Sequence, residues 1–273
     1  MQVNLPKQRL TLAGDGSSHL RTYLAIILTS NILEFSGYRL GYTQMKNVFF
    51  AIVLACVVVL PANAQNDALI TASTITTDEG REEFAIIIRP EANEPGKTFP
   101  VLYAPGDRNY PDPSFFWGDS PTKLGWIIVQ TEAVYNGTPE QLRSVMESVE
   151  ATLRREGYQT AERHLVSWSG NSGAGARQAG ALGASLRSAS FIPGYGTGRS
   201  VGQICAHKNL HINFITGSRD RSWLRGAKTM RNKLEACGMK HVAFAVIENG
   251  GHILKEIAGE PFFKVLNDTR SDK

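Results

Sequence analysis

The 273-residue chain is poor in the patterns that bind metals and nucleotides. Its three cysteines and six histidines form neither a zinc-type spacing nor an H-E-x-x-H motif, and a Walker phosphate loop is missing. The stretch GAGARQAG, residues 173–180, resembles a dinucleotide fingerprint, but Gln178 stands where the third glycine is required. We therefore expect the protein to use no metal and no cofactor.

A strong excess of one charge is also missing. Residues 1–64 hold five of the 29 basic and two of the 25 acidic residues, which leaves 24 basic and 23 acidic residues in 65–273. We find no basic run of the kind that indicates a nucleic-acid partner, so none is expected.

Long apolar runs are missing as well. The longest, Val48 to Leu60, follows Lys46 and precedes Ala62-Asn63-Ala64, a pattern typical of a secretory signal peptide and too short for a membrane span. We expect residues 45–64 to be this signal peptide, residues 1–44 an over-called upstream extension, and residues 65–273 a secreted or periplasmic domain without stable membrane insertion. An uncleaved anchor is the alternative.

The rest of the chain alternates strand-like and helix-like segments. This alternation predicts one α/β domain with a mostly parallel central sheet, helices on both faces and an antiparallel hairpin at its N-terminal edge. A helix begins at Thr138-Pro139 with a capping-box glutamine, Gln141. The predicted strands cover 69–76, 84–89, 101–104, 126–130, 164–169, 189–192, 211–216 and 242–247.

Two cysteines remain once the signal peptide is removed. Cys205 and Cys237 each precede a neighbouring parallel strand, which places both at one end of the sheet, opposite the usual ligand side. An even pair in an oxidising compartment predicts a disulfide. Two unpaired buried thiols are the alternative.

Three serines lie close together in VSWSGNSGAG, residues 166–175. A serine nucleophile on a tight strand-to-helix turn needs small residues two positions before and after it. Ser172 meets this pattern with Gly170 and Ala174, whereas Ser169 is flanked by Ser167 and the bulkier Asn171. We therefore predict Ser172 as the nucleophile and keep Ser169 as the alternative; glycines that only let the helix approach the sheet would explain the stretch without catalysis.

An acid and a histidine follow in the order that such a serine requires. Asp220 comes after the strand at 211–216, and His252 comes after the strand at 242–247. Asp220 would orient the ring and His252 would act as base. The alternative role for Asp220 is a helix N-cap.

With these motifs the chain resembles serine hydrolases of the α/β-hydrolase superfamily: GNSGAG is similar to the nucleophile turn, GSRD to the acid turn and NGGH to the histidine loop. The stretches PVLYAPGD, LGWIIVQTE and RHLVSWSGNSGAG resemble secreted esterases of the feruloyl-esterase and polyester-depolymerase type. The resemblance implies an α/β-hydrolase fold. The sequence departs from the family at Asp107, because family members often carry His-Gly there. We predict the backbone amides of Asp107 and Gly173 as the oxyanion donors.

The substrate is expected to be a small-molecule or polymeric ester. Only about 20 residues separate Ile192 from the strand at 211, so little or no lid covers the site. Aromatic residues predicted to wall the substrate pocket, unless they are core anchors, are Phe115, Phe116, Trp117 and Tyr195. The predicted activity is carboxylic-ester hydrolysis through an acyl-enzyme. The alternatives are a peptidase or thioesterase with the same triad, and a non-catalytic binding protein of the cell envelope.

Overall fold

The computed structural model describes residues 68–77, 80–90, 96–106 and 114–270. The predicted signal peptide at 45–64 and the extension at 1–44 lie outside these ranges. Within them, an eight-stranded mixed sheet forms the centre of the domain. Its strands are β1 (Ala68–Thr76), β2 (Glu82–Pro90), β3 (Thr98–Pro105), β4 (Ile127–Thr131), β5 (Gln159–Ser167), β6 (Ser188–Phe191), β7 (His211–Gly217) and β8 (Val242–Ile247).

The sheet has the order β1-β2-β4-β3-β5-β6-β7-β8. Strands β1 and β2 pair antiparallel, and β2 pairs antiparallel with β4. Strands β3 to β8 are parallel to one another. The predicted fold class, a mostly parallel sheet with antiparallel strands at its N-terminal edge, is confirmed.

Eight helices of the described residues connect and cover the strands. The longest helix begins as its sequence predicts. Thr138 Oγ1 accepts a hydrogen bond from the Gln141 amide at 3.2 Å, and Gln141 Oε1 accepts one from the Thr138 amide at 2.7 Å. This reciprocal pair is a capping box. The helices are α1 (Ser114–Trp117), α2 (Ser120–Leu124), α3 (Glu132–Asn136), α4 (Pro139–Arg155), α5 (Ser172–Leu182), α6 (Gly198–Ile204), α7 (Arg221–Ala236) and α8 (Glu260–Asn267). None of the helices in the described ranges is both long and apolar enough to cross a bilayer.

Two apolar layers hold the helices against the sheet, one on each face. The larger layer joins alternate strand residues such as Tyr103 and Leu165 to α4, α5 and α7. The other joins Leu102 and Val166, whose side chains point the opposite way, to the aromatic residues of α1 and α8. This alternation follows from the two-residue period of a strand, and it explains why the parallel strands read as continuous apolar runs.

The amino ends of β7 and β8 are joined covalently. Cys205 is the C-cap residue of α6 and Cys237 is the C-cap residue of α7. Their sulfurs form a disulfide. The predicted pairing is therefore confirmed, at the end of the sheet opposite the residues described next.

Candidate active site

The turn between β5 and α5 lies at the carboxyl end of the central strand. Strand β5 ends at Ser167, the backbone of Trp168 stays extended, and Ser169 then takes a φ of +49°. A non-glycine residue in this region is strained and persists only where its surroundings hold it. The Ser169 amide donates to the carbonyl of Pro193 at 2.8 Å, and Asn171 Oδ1 accepts the Trp168 amide at 2.8 Å.

Ser169, and not Ser172, faces the histidine. The distance from Ser169 Oγ to His252 Nε2 is 2.7 Å. Ser172 is 3% exposed, and its hydroxyl donates instead to the backbone carbonyl of Tyr195 at 3.3 Å. The prediction that Ser172 would meet His252 is wrong, because β5 ends two residues earlier than the apolar pattern indicates and the sharp turn therefore falls at Ser169.

The small residues of this stretch serve a different contact from the one predicted. A Cβ on Gly175 would lie 2.3 Å from Ser167 Oγ, so α5 can cross the end of β5 only with glycine there. Gly173 has open space around its Cα and lies in the first turn of α5, away from the turn at Ser169. The amide that directly follows the facing serine is that of Gly170. The prediction of the Gly173 amide as an oxyanion donor is therefore corrected together with the prediction of Ser172 as nucleophile.

Two loops at the ends of β7 and β8 hold the acid and the histidine together. The amide of Ser218 donates to Ile247 O at 3.0 Å, and that of Arg219 donates to Gly250 O at 3.0 Å. A Cβ on Gly217 would come within 2.3 Å of the carbonyl oxygens of the facing loop. The glycine at the end of β7 is therefore required for this close approach.

Asp220 and His252 are brought together as predicted. His252 Nδ1 lies 2.6 Å from Asp220 Oδ2. Asp220 stands at the N-cap position of α7, but its side chain makes no capping hydrogen bond, so the alternative role as a helix cap does not apply. The ring of Trp223, in the first turn of α7, lies 5.3 Å from the imidazole. No pattern in the sequence indicates a role for Trp223 near the site.

The site lies open at the surface. The His252 side chain is 41% exposed, whereas that of Asp220 is 13% exposed. The connection from β6 to β7 contains only the seven-residue helix α6. In the part of the chain that the structure describes, no group of three or more His, Cys, Asp or Glu side chains is arranged to hold a metal ion.

The predicted pocket residues separate into different environments. Trp117 is 1% exposed and belongs to the core, so the core-anchor alternative holds for it. Phe116 lines a cavity of about 200 Å³ with Ile253 and Leu254, directly after the histidine. Tyr195 lines a second pocket, and its ring lies 5.2 Å from that of Trp223. Of Phe115 only the backbone is described, and Asp107 lies outside the described residues.

No protein-family model and no curated protein matches this sequence. Solved structures do match its fold. The feruloyl esterase module of Clostridium thermocellum, complexed with sinapinate, has a TM-score of 0.55 and 12% identity over 70% of this chain and 86% of its own. The ferric enterobactin esterase of Salmonella typhimurium has a TM-score of 0.53 and 10% identity over 67% of this chain and 53% of its own.

A peptidase matches as well. Dipeptidyl peptidase 4 of Porphyromonas gingivalis has a TM-score of 0.55 and 12% identity over 74% of this chain, which is 35% of its own length. With the strand order described above, these likenesses show that the chain has the α/β-hydrolase fold. The predicted fold is thereby confirmed.

Proposed function

We propose that the protein is a serine hydrolase that cleaves carboxylic esters through an acyl-enzyme, with Ser169 as nucleophile, His252 as base and Asp220 as the residue that orients the histidine. One observation carries the proposal: the unbroken chain of contacts from Ser169 Oγ through the imidazole to Asp220, with distances of 2.7 and 2.6 Å. A hydroxyl becomes a competent nucleophile when a neighbouring base accepts its proton.

The reaction proceeds in two halves. Ser169 Oγ attacks the ester carbonyl carbon while its proton passes to His252 Nε2; the tetrahedral adduct then breaks, and the leaving alkoxide takes that proton as alcohol. Water next gives a proton to His252, attacks the acyl-enzyme and releases the acid, and the proton returns to Ser169. Asp220 accepts a hydrogen bond from the Nδ1–H group throughout. This hydrogen bond fixes the tautomer of His252 and stabilises the imidazolium.

The oxyanion requires N–H donors that point toward the carbonyl oxygen. The positive φ of Ser169 turns the chain so that the Gly170 amide follows directly at the start of a helical turn, and we assign one donor to this amide. The amide of Asp107 stays a prediction for the second donor.

The openness of the site favours accessible or bulky esters over esters with long buried acyl chains. A half-exposed histidine under a short β6–β7 connection gives bulky substrates direct access. The apolar cavity lined by Phe116 and Ile253 begins at the residue after His252, where it can receive an apolar acyl or alcohol group. The feruloyl esterase module, of which 86% is covered, is by its name a precedent for ester cleavage, whereas the match to the dipeptidyl peptidase covers 35% of that longer chain.

Export is part of the proposal. The signal-peptide pattern at 45–64 directs the chain out of the cytoplasm, and the Cys205–Cys237 disulfide suits an oxidising compartment. Cell fractionation of the full-length gene product, with mass spectrometry of its amino terminus, tests this step.

Labelling by a fluorophosphonate tests the mechanism, with two serines three residues apart as matched variants. We expect one adduct, on Ser169, in a protein that begins at Gln65. Ser169→Ala abolishes labelling and lowers kcat/KM for 4-nitrophenyl acetate on the order of 10³-fold or more. Ser172→Ala still labels, because its hydroxyl only bonds to the Tyr195 carbonyl.

The result that contradicts this assignment is also specific. An adduct on Ser172, or labelling that survives Ser169→Ala and disappears in Ser172→Ala, would show that the described geometry does not correspond to the reactive state. A folded protein that takes no label at all would instead favour a non-catalytic binding protein.

A further inference from the structure

A second pocket, of about 340 Å³, lies between the Tyr195 loop and helix α7. Its walls include Tyr195, Ser222, Arg225, Thr229, Met230 and Lys233. We name it the α7 pocket. Two of these side chains are cationic, three carry hydroxyls, and none of the residues that line the pocket is acidic. A pocket of this lining offers hydrogen-bond donors and positive charge to a bound group.

The two cations of the α7 pocket are not neutralised by neighbours. Among the described residues neither Arg225 nor Lys233 forms an ion pair, whereas Arg231, elsewhere on α7, pairs with Glu235 at 3.7 Å. The segment 219–233 carries six basic residues and a single acidic one, Asp220, which is engaged by His252. The near-neutral balance of residues 65–273 therefore conceals a local concentration of positive charge beside the site.

The α7 pocket is connected to the candidate active site by two aromatic rings. The ring of Tyr195, which forms one wall of the pocket, lies 5.2 Å from the ring of Trp223, and Trp223 lies 5.3 Å from His252. The same loop also supports the serine turn, because the Pro193 carbonyl accepts the Ser169 amide. The ring contacts thus lead from His252 over Trp223 to the Tyr195 wall of the α7 pocket, and a substrate held at Ser169 can extend along them.

The Tyr195 ring is held in this position by close packing on α7. A Cβ on Gly226 would lie 2.3 Å from the ring of Tyr195, so the helix can pass under the ring only with glycine there. The Tyr195 carbonyl is fixed separately by the hydroxyl of Ser172. The wall between the pocket and the site is therefore built by specific contacts on both sides.

We propose that the α7 pocket receives a carboxylate carried by the ester substrate, so that the preferred substrates are anionic esters in which an aromatic spacer separates the charge from the scissile bond. The proposal rests on ester hydrolysis at Ser169. Arg225 and Lys233 bind the charge, and Ser222 supplies a hydroxyl donor, whereas the Thr229 hydroxyl donates to the Arg225 carbonyl. Since the charge is remote from the reacting atoms and present before and during reaction, the pocket acts mainly on KM.

Matched esters that differ only in charge test this proposal. The first pair, 4-acetoxybenzoate and 4-acetoxybenzamide, places the carboxylate or its neutral amide on the alcohol side; the second, methyl hydrogen terephthalate and methyl 4-carbamoylbenzoate, places it on the acyl side. In at least one pair we expect kcat/KM to favour the carboxylate by roughly tenfold at low salt, the sum of two exposed charge contacts. The preference decreases as salt rises.

Variants of α7 locate the effect. In Arg225→Gln/Lys233→Gln the preference for the carboxylate falls to about onefold, mainly through KM. Lys228→Gln removes the same type of charge from the same helix outside the α7 pocket, and there the preference stays close to the wild-type value. Equal rates for both members of each pair, or a preference that survives the double variant, overturn the anion pocket and leave ester hydrolysis standing.

Binding separates the pocket from the chemistry. In a Ser169→Ala background, calorimetry should show tighter binding of the carboxylate than of its neutral amide in at least one of the two pairs, and the difference should vanish when Arg225 and Lys233 are replaced. If neither ester pair is hydrolysed by the wild-type protein but this binding difference is found, the proposed hydrolysis fails and the anion pocket is retained. Absence of the binding difference overturns the pocket whatever the kinetics show.

Discussion

The two ends of the sheet each hold a histidine, and the two rings have opposite surroundings. At the carboxyl end, His252 faces a carboxylate at 2.6 Å. At the amino end, His211 stacks on the ring of His241 with 4.1 Å between centroids and 3° between planes. Burial first, then the neighbouring His241 and Arg187, lower the pKa of His211 to about 4.

This contrast shows how one residue type serves two purposes. At His252 the carboxylate of Asp220 orients the ring, which is what a base in turnover needs. At His211 burial, a second imidazole and an arginine disfavour the protonated ring, which then contributes packing as a neutral aromatic group. The disulfide lies at the same amino end, so this end carries structural contacts, whereas the carboxyl end carries the proposed chemistry.

The sharpest way to break the comparison is to remove the carboxylate. Asp220→Asn keeps the size of the side chain but removes the charge that orients His252, and an amide can donate as well as accept, which permits the wrong tautomer. We expect kcat for 4-nitrophenyl acetate to fall on the order of 10³-fold, with the free energy of unfolding changed by less than about 1 kcal/mol.

Chemical denaturation and steady-state kinetics on the same samples check this separation. A large loss of stability with the rate preserved would reverse the roles assigned to the two ends.

The matched change at the amino end is removal of the disulfide. The bridge joins residues 32 apart in sequence, and Cys205→Ser/Cys237→Ser should lower the free energy of unfolding by about 3–4 kcal/mol through the entropy of the unfolded chain. Because the bridge lies at the far end of the sheet, kcat should stay within about twofold of wild type at 25 °C.

Denaturant midpoints with and without reductant measure this effect. A wild-type protein that loses no stability on reduction would contradict the structural role of the bridge, and a rate that falls with it would show that the two ends are coupled.

Much of the fold could be predicted from the sequence, because apolar runs and capping patterns are local. All eight strands were found, and the helix beginning at Thr138 was fixed by its capping box. The bounds of β5 were not: Trp168 continues the extended backbone while the sharp turn already begins at Ser169. Where a strand stops is decided by tertiary contacts such as the Ser169–Pro193 hydrogen bond, and no local pattern reports these.

The same limit explains the choice of serine. The rule of small residues around the nucleophile was applied to the nearest neighbours in sequence, but the close contact in the structure joins Ser167 to Gly175, eight residues apart. The positive charge around the α7 pocket is not visible in the sequence composition for a related reason. The net charge of residues 65–273 is nearly zero, whereas the uncompensated cations lie on one helix face. The acid and the histidine, which follow strands directly, were found.

The smallest expected effect concerns pH and the stacked pair. The pKa of His211 is about 4 in the folded protein and 6.5 in the unfolded chain, so the folded state excludes a proton that the unfolded state binds. The stabilising contribution is therefore complete above pH 6.5 and is lost as the pH falls toward 4. Because the ring is only partly buried, we expect a loss on the order of 1 kcal/mol between these limits.

Denaturation curves of wild type and His211→Asn at pH 7 and pH 4.5 measure this loss, since the variant has no ring to protonate at 211 and its stability should depend less on pH. An NMR titration of His241→Asn then divides the causes. Burial is the larger one, so removing the neighbouring imidazole should raise the pKa of His211 only partway toward 6.5. A full return to 6.5 would show that repulsion within the stacked pair, and not burial at the amino end of the sheet, keeps this ring neutral.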